Sequence, residues 1–196
     1  MRENNIPEWF IESCKKISYL FPRAHAVAYV MMAFRIAWFK VYHPLAFYAA
    51  YFSIRAKAFD LRIMTGDLKT QMTEFNRIKA LDRAASPKDK DLMSALEVSM
   101  EMYQRGYRFI NVDIQHSEAR RFSIKDGALL PPFLAIDSLG ETVADAIVAE
   151  REERPFTSLK DLQRRCKVSN TIIDLMKELK CCGELPEDEQ MSLFGA

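Results

Sequence analysis

Apolar residues recur at intervals of three and four through the first half of the chain, as they do on one face of a helix. Prolines and glycines interrupt these runs at points where a helix would begin or end. The predicted helices run from Pro7 to Cys14, Arg23 to Val41, Leu45 to Ala58, Leu68 to Ala84, and Pro87 to just before Gly106. The first half of the chain is therefore predicted to be helical.

The pattern changes after Gly106. Short alternating runs of β-prone residues, Tyr107 to Ile114 and Phe122 to Ile124, predict a small pair of strands. Leu129 to Pro132 is predicted to be an extended connector, because proline removes a backbone donor and disfavours helix in the residue before it. The expected fold class is mainly α with a minor β element.

Four short helical segments, arranged in two pairs, follow the connector. Residues 136–140 separate the helices of the first pair, and residues 167–169 separate those of the second. Two helix–hairpin–helix units in tandem are the simplest interpretation. The segment 183–196 is acidic and has one apolar cluster near its end, so it is expected to be disordered when it is unbound.

Charge is unevenly distributed, although the net charge is only +1. Residues 1–127 hold 20 basic and 14 acidic side chains, and residues 128–186 hold 8 and 10. The remaining residues, 187–196, hold three acidic side chains and no basic ones. Contacts with a polyanion are therefore expected mainly in the first part of the chain.

Composition narrows the classes of protein further. The four cysteines lack the paired spacing and the neighbouring histidines of a zinc site, and no basic and apolar leader opens the sequence, so a cytoplasmic location is expected. The most apolar stretch, residues 24–39, is interrupted by His25 and Arg35 and is shorter than the roughly 20 residues of a membrane span. No membrane association is expected.

A cluster of polar and aromatic residues opens the second predicted helix. The run from Phe21 to Tyr29 is F-P-R-A-H-A-V-A-Y, and His25 and Tyr29 are four residues apart, on one helical face. Periodicity alone is compatible with core residues that have polar tips. An aromatic ring beside a cationic or hydrogen-bonding group is also compatible with binding a nucleotide.

The first hairpin, Ile136-Asp137-Ser138-Leu139-Gly140, is similar to the apolar-x-Gly-apolar-Gly pattern, with a serine in place of the first glycine. Such a hairpin presents backbone N–H groups at the start of the next helix to a DNA phosphate. Serine would be strained if that position requires a positive φ, and Glu141 puts a like charge near the phosphate. The candidate DNA-binding residues of both hairpins are Ser138, Leu139, Gly140, Val168, Ser169 and Asn170. Ordinary helical packing without a ligand is the alternative.

The end of the chain contains the segment Gln190-Met191-Ser192-Leu193-Phe194. An acidic linker that ends in a glutamine and two bulky apolar residues is typical of a peptide that inserts into a preformed pocket. Gln190, Leu193 and Phe194 are the candidate anchors. A disordered tail without a partner is the alternative.

Together these motifs resemble the C-terminal end of the PolC-type bacterial DNA polymerase III alpha subunit. Residues 21–29 are similar to the F-P-[KR]-A-H-A-x-A-Y signature that opens the fingers helix of that family, and the last residues are similar to its Q-L-S-L-F clamp-binding tail. The resemblance implies a fingers region in residues 1–127, a tandem helix–hairpin–helix module in residues 128–186, and a flexible tail in residues 187–196.

The resemblance also implies roles for these residues. Phe21 and Tyr29 would face the base or sugar of an incoming deoxynucleoside triphosphate, and Arg23 and His25 would lie near its phosphates. The hairpins would hold duplex or primer–template DNA through sequence-neutral, salt-sensitive contacts with phosphates. The tail would bind the β sliding clamp.

Catalysis is not expected from this chain alone. Polymerases of this family hold magnesium ions with acidic palm residues, and no closely spaced aspartates replace them here. No catalytic residue, resident metal or cofactor is therefore expected, magnesium being required by the full polymerase. The resemblance implies a piece that is inactive without the remainder of the polymerase. The alternatives are a stand-alone, non-catalytic DNA-binding or clamp-associated protein, and a helical scaffold with no nucleic-acid role.

Overall fold

The computed structural model describes residues 1–16 and 23–188, and the chain divides into two compact units, Met1–Tyr42 and His43–Ala196. The described residues form nine α-helices and one two-stranded sheet, which confirms the predicted mainly α fold with a small β element. The boundary between the units falls inside the predicted region 1–127. The predicted domains were divided by function and these units by compactness, so the predicted domains stay predictions.

The described part of the first unit contains two α-helices. Helix α1 spans Glu8–Lys15, as predicted, and helix α2 spans Arg23–Tyr42. Within the described part of this unit, Ile11 is the one buried side chain, and the apolar side chains of α2 are exposed. Helix α2 therefore presents an apolar surface that no described residue of the first unit covers.

By length and composition, α2 is the one described helix that could cross a membrane. Its 20 residues exceed the apolar stretch noted in the sequence, because the helix also includes Arg23 at its start and residues 40–42 at its end. These criteria are weak evidence for a membrane span, since the core helix of a soluble protein and a signal sequence meet them too.

Five helical segments open the second unit. They are α3 (Pro44–Ala50), a π-helical turn (Tyr51–Arg55), α4 (Leu61–Met64), α5 (Leu68–Leu81) and α6 (Pro87–Gln104). Their boundaries follow local signals: the Asp67 side chain caps α5, and a reciprocal pair of hydrogen bonds between Ser86 and Asp89 caps α6. At the end of α6, Gly106 has a φ of 86° and ends the helix as predicted.

A first core lies among these helices, where Met64, Ile78 and Leu96 are buried. Gln71 is also fully buried, and its side chain makes buried hydrogen bonds in this core. Its Nε2 donates to the Met64 carbonyl at 3.1 Å, and its Oε1 accepts from Ser99 Oγ at 2.6 Å. This buried pair joins α5 to α6.

The two strands are β1 (Ser123–Lys125) and β2 (Ala128–Leu130), which pair antiparallel. They are joined by Asp126 and Gly127, whose φ angles of 51° and 74° are those of the tight turn that an Asp-Gly pair favours between strands. The rings of Phe52, Phe59, Phe109 and Phe122 contact one another at centroid separations of 4.9–6.2 Å. These rings attach the β-hairpin to the first core.

The predicted pairing of the strands was wrong, although a strand pair is present. Strand β2 lies partly in residues that were predicted to be an extended connector. The segment 107–114 contributes only an isolated bridge between Phe109 and Leu129. Val112 and Ile114 pack into a second core, so their segment does not extend along β1. The Asp-Gly turn instead pairs β1 with β2, the segment that follows it directly.

The second core belongs to the tandem helical pairs. Its elements are a 3₁₀ turn (Phe133–Ala135), α7 (Glu141–Glu153), α8 (Leu159–Cys166) and α9 (Asn170–Glu178). Phe133, Ile147, Leu162 and Met176 are fully buried between them. The two pairs of helical segments were predicted from the sequence, and the structure confirms them.

The cysteines are free thiols, and three of them, Cys166, Cys181 and Cys182, are buried in the second core. Burial raises the pKa of Cys181 to about 12, so this thiol stays protonated at neutral pH. It serves as a small apolar side chain in the core.

Candidate functional site

The two hairpins of the second unit have matching backbones. Ser138 and Lys167 adopt the left-handed conformation, with φ of 64° and 54°. The next residue of each hairpin, Leu139 or Val168, is buried and anchors the hairpin in the second core. The residue after that, Gly140 or Ser169, precedes the following helix in an extended conformation, with ψ of 156° and 155°.

Each hairpin leads into a helix whose first N–H groups lack partners within the helix. In α7 the first helical hydrogen bonds are donated by Val143 and Ala144 to the Gly140 carbonyl, at 3.1 and 3.0 Å. In α9 the first is donated by Ile172 to the Ser169 carbonyl at 3.1 Å. The amides before these donors carry the partial positive charge of a helix start. The hairpins thus place at their tips two sets of backbone donors of the kind that suit an anion.

The structure brings the predicted hairpin residues together at these tips, with one shift in register. The sequence suggested Val168, Ser169 and Asn170 for the second hairpin, but the backbone makes Lys167, Val168 and Ser169 the equivalents of Ser138, Leu139 and Gly140. The sequence placed Lys167 in the connection between the helices but not at the glycine-like position, because a lysine in place of a glycine hides the repeat. Its positive φ, which few residue types tolerate, is the feature that identifies it.

Acidic and basic side chains meet beside the first hairpin. Arg120 donates from Nη1 to Glu141 Oε2 at 2.5 Å, and from Nε and Nη2 to the two carboxylate oxygens of Asp145, at 3.1 and 2.5 Å. The Arg120 guanidinium thereby lowers the pKa of Asp145. The like charge of Glu141, which the sequence placed near a phosphate, is therefore paired.

A buried carboxylate fixes α8 to its surroundings. The Asp161 side chain is fully buried and accepts hydrogen bonds from Arg154 (3.3 Å), Arg164 (2.9 Å) and Arg165 (3.3 Å). Arg165 also reaches Glu150 Oε2 of α7 at 2.9 Å. This network joins α7 and α8 and orients the helix that leads into the second hairpin.

The segment 183–188 packs on the start of α8, whereas the sequence suggested disorder from Gly183 onward. The N–H groups of Leu159 and Lys160 donate to the carbonyls of Pro186 (2.9 Å) and Glu187 (3.2 Å). The clamp-binding candidates Gln190, Leu193 and Phe194 lie outside the described residues, and their assignment stays a prediction.

The nucleotide-binding candidates lie in the first unit. Arg23, His25 and Tyr29 are exposed on the first two turns of α2, and the rings of His25 and Tyr29 are 4.5 Å apart between centroids. Phe21 lies outside the described residues. Within the segments that the structure describes, no group of His, Cys, Asp and Glu side chains is arranged to hold a metal ion. The structure leaves the nucleotide contacts and the magnesium of the full polymerase as predictions.

A family model of the helix–hairpin–helix motif matches residues 106–190, which include both hairpins. Along 99% of its length the chain is also similar to two curated proteins named DNA polymerase III PolC-type. The protein from Caldanaerobacter subterraneus subsp. tengcongensis is 48% identical over 194 residues, and that from Streptococcus pyogenes is 49% identical over 197 residues. The chain spans only 14% and 13% of the lengths of these relatives. The predicted resemblance is confirmed.

Proposed function

We propose that this relative of PolC-type DNA polymerase III serves as the duplex-holding C-terminal part of a replicative polymerase. The observation that carries the proposal is the pair of hairpins, each with a left-handed residue, a buried apolar anchor and a helix start with free donors. Backbone N–H groups bind phosphates without regard to base sequence. A polymerase that translocates along its product requires this kind of contact.

Binding of duplex DNA tests the proposal. The full chain should bind two duplexes of unrelated sequence with similar affinity at low salt, and log K should fall linearly with log salt concentration. Fluorescence anisotropy with end-labelled duplexes measures both properties. If the chain binds neither duplex at low salt, or binds one in a salt-independent manner, the proposed function is wrong.

A proline variant isolates the backbone donors. Asn170 is the first residue of α9, and proline is tolerated there because it removes an N–H that the helix does not use. Asn170→Pro should weaken duplex binding by about 1–2 kcal/mol, or roughly five- to thirtyfold, with the helix content unchanged. Asn170→Ala keeps the N–H group and is the matched control. Equal binding by the two variants would contradict backbone contact at the second hairpin.

The polymerase context extends the proposal to the first unit. The exposed apolar residues of α2 suggest that the remainder of a polymerase chain covers this helix, because free proteins seldom expose so large an apolar surface. In that setting Phe21 and Tyr29 would contact the base or sugar of a deoxynucleoside triphosphate, and Arg23 and His25 its phosphates. The chain would act in the cytoplasm, and the palm and its magnesium would come from the rest of the polymerase.

The tail completes the proposal with a contact to the β sliding clamp. The last residues combine an acidic linker with Gln190, Leu193 and Phe194, a composition suited to an anchored peptide. Replacing Leu193 and Phe194 by alanine should abolish binding to immobilised β clamp, while Met191→Ala should have little effect. Unchanged clamp affinity after the double replacement would make the assignment wrong. Duplex binding should be unaffected by the double replacement in either case.

A further inference from the structure

Arg120 is held in place beside the first hairpin by the backbone of the two residues before it as well as by its own side chain. The carbonyls of the two preceding residues, Glu118 and Ala119, accept hydrogen bonds from Phe133 (2.9 Å) and Leu134 (3.1 Å). Phe133 and Leu134 form the 3₁₀ turn that leads into the hairpin. The loop that carries Arg120 is therefore fixed to the hairpin, so the guanidinium lies there before any ligand binds.

Acidic side chains lie close to the first hairpin, and Arg120 is the ion-pair partner of two of them. Asp137 lies in the hairpin, and Glu141 and Asp145 lie in the first two turns of α7. Arg120 is the basic partner of both Glu141 and Asp145, and these ion pairs are partly open to solvent, with side-chain exposures of 49% for Arg120, 66% for Glu141 and 48% for Asp145. Carboxylates this close to an anion site lower its affinity for a second anion.

We propose that Arg120 is a positioning residue for duplex binding, which pairs with Glu141 and Asp145 so that a phosphate can approach the first hairpin. The inference rests on the proposed function. In this role Arg120 acts through the two carboxylates and makes no phosphate contact of its own. Its removal should therefore lower duplex affinity only while those carboxylates are present.

The test is a set of charge variants of the full chain, assayed for duplex binding by anisotropy over a range of salt concentrations. Arg120→Ala should weaken binding by about three- to tenfold without changing the slope of log K against log salt, because the number of phosphate contacts is unchanged. The triple variant Arg120→Ala/Glu141→Gln/Asp145→Asn should regain the affinity of the unmodified chain. Arg77→Ala, which removes an exposed arginine paired with Glu74 and Asp89 in the first core's helices, is the matched control and should bind nearly normally.

Each other outcome overturns the proposal in a distinct way. If the triple variant binds as weakly as Arg120→Ala and the salt slope falls by about one, Arg120 contacts a phosphate directly. If the triple variant stays weak with an unchanged slope, Arg120 is only structural. If Arg77→Ala is as weak as Arg120→Ala, bulk charge explains the effect. If the unmodified chain binds no duplex, both the proposed function and this inference are wrong. If Arg120→Ala binds duplex as tightly as the unmodified chain, only this inference is wrong.

Discussion

Ser138 and Lys167 hold the same left-handed backbone conformation at equivalent positions of two hairpins, with φ of 64° and 54°. Neither residue is a glycine, and a side chain in this conformation costs about 1 kcal/mol or more. The chain thus maintains the same local strain twice, in two segments whose sequences show no obvious repeat.

Replacement of Ser138 by glycine should stabilise the protein. Glycine adopts a positive φ without steric cost, so Ser138→Gly should raise the free energy of unfolding by about 0.5–1 kcal/mol after its larger chain entropy is counted. Urea denaturation measures the change. The reciprocal control is Gly106→Ala, since Gly106 has a φ of 86° and an added Cβ there would touch nothing within 4 Å. It should cost about 1 kcal/mol through backbone strain alone. A destabilised Ser138→Gly protein would argue that the serine side chain makes a stabilising contact.

Lys167 should be a stronger determinant of duplex affinity than other lysines of the same region. Lys167→Gln removes a charge from the tip of the second hairpin, and it should weaken duplex binding equally for unrelated sequences and reduce the salt slope by about one. Lys180→Gln is matched, because Lys180 is exposed, has a φ of 56°, and follows the opposite end of α9. Equal effects of the two changes would show that the contribution is from overall charge and not from the hairpin tip.

The buried carboxylate of Asp161 should make the free energy of unfolding depend on pH. Burial acts to raise its pKa, but the Thr157 N–H group and the guanidinium groups of Arg164 and Arg165 outweigh burial, and the pKa is lowered. A group whose pKa is lower in the folded state stabilises the fold above its unfolded pKa, about 3.9, and the contribution is lost as the pH falls through the folded value. Asp161→Asn should therefore cost about 2–3 kcal/mol at pH 7, because the arginines lose their buried partner.

The difference in the free energy of unfolding between Asp161→Asn and the unmodified chain should shrink as the pH falls below about 3.9, the pKa of the unfolded carboxyl, and further as it falls through the lower folded pKa. Urea denaturation at several pH values measures it. Asp174→Asn, a change at an exposed position of α9, is the control and should have little effect at any pH. A difference that stays constant down to the lowest pH would mean that the ionised form of Asp161 contributes nothing.

The hydrogen bond between Gln71 and Ser99 should stabilise the first core. Ser99→Ala leaves Gln71 Oε1 without its donor in a fully buried place, so the free energy of unfolding should fall by about 1–2 kcal/mol. Ser94→Ala, on the exposed side of the same helix, should change it by less than about 0.5 kcal/mol. Thermal denaturation followed by circular dichroism compares the two variants. Equal stability of both would mean that water replaces the lost donor.

The features that the sequence predicts correctly depend on local signals. Helix α1 follows Pro7, α6 begins at the Ser86-Pro87 pair and ends before Gly106, and the first hairpin has recognisable apolar positions. Each of these signals acts within a few residues of where it occurs. Local chemistry is enough to identify them.

The features that the sequence missed depend on contacts between distant segments. The contact of Phe109 with Leu129 and the pairing of Arg120 with Glu141 join residues that lie about twenty positions apart. Lys167 is recognised only by its backbone conformation, because its side chain gives no indication of a glycine-like position. Pairings of this kind follow from the packing of the cores, which no single segment encodes.

The packing of Val112 and Ile114 under the tandem hairpins has a practical consequence for dividing the protein. Arg151 of α7 donates to the carbonyls of Ile114 (3.0 Å) and Ser117 (2.9 Å), so the loop before the β-hairpin completes the second core. A shortened protein that starts at residue 128 would lack Ile114 and Ser117. The Arg151 guanidinium would then lose both acceptors, and the second core would be open to water. One that starts near residue 106 would retain the loop and both hydrogen bonds, and it would lose Leu61 from the same core.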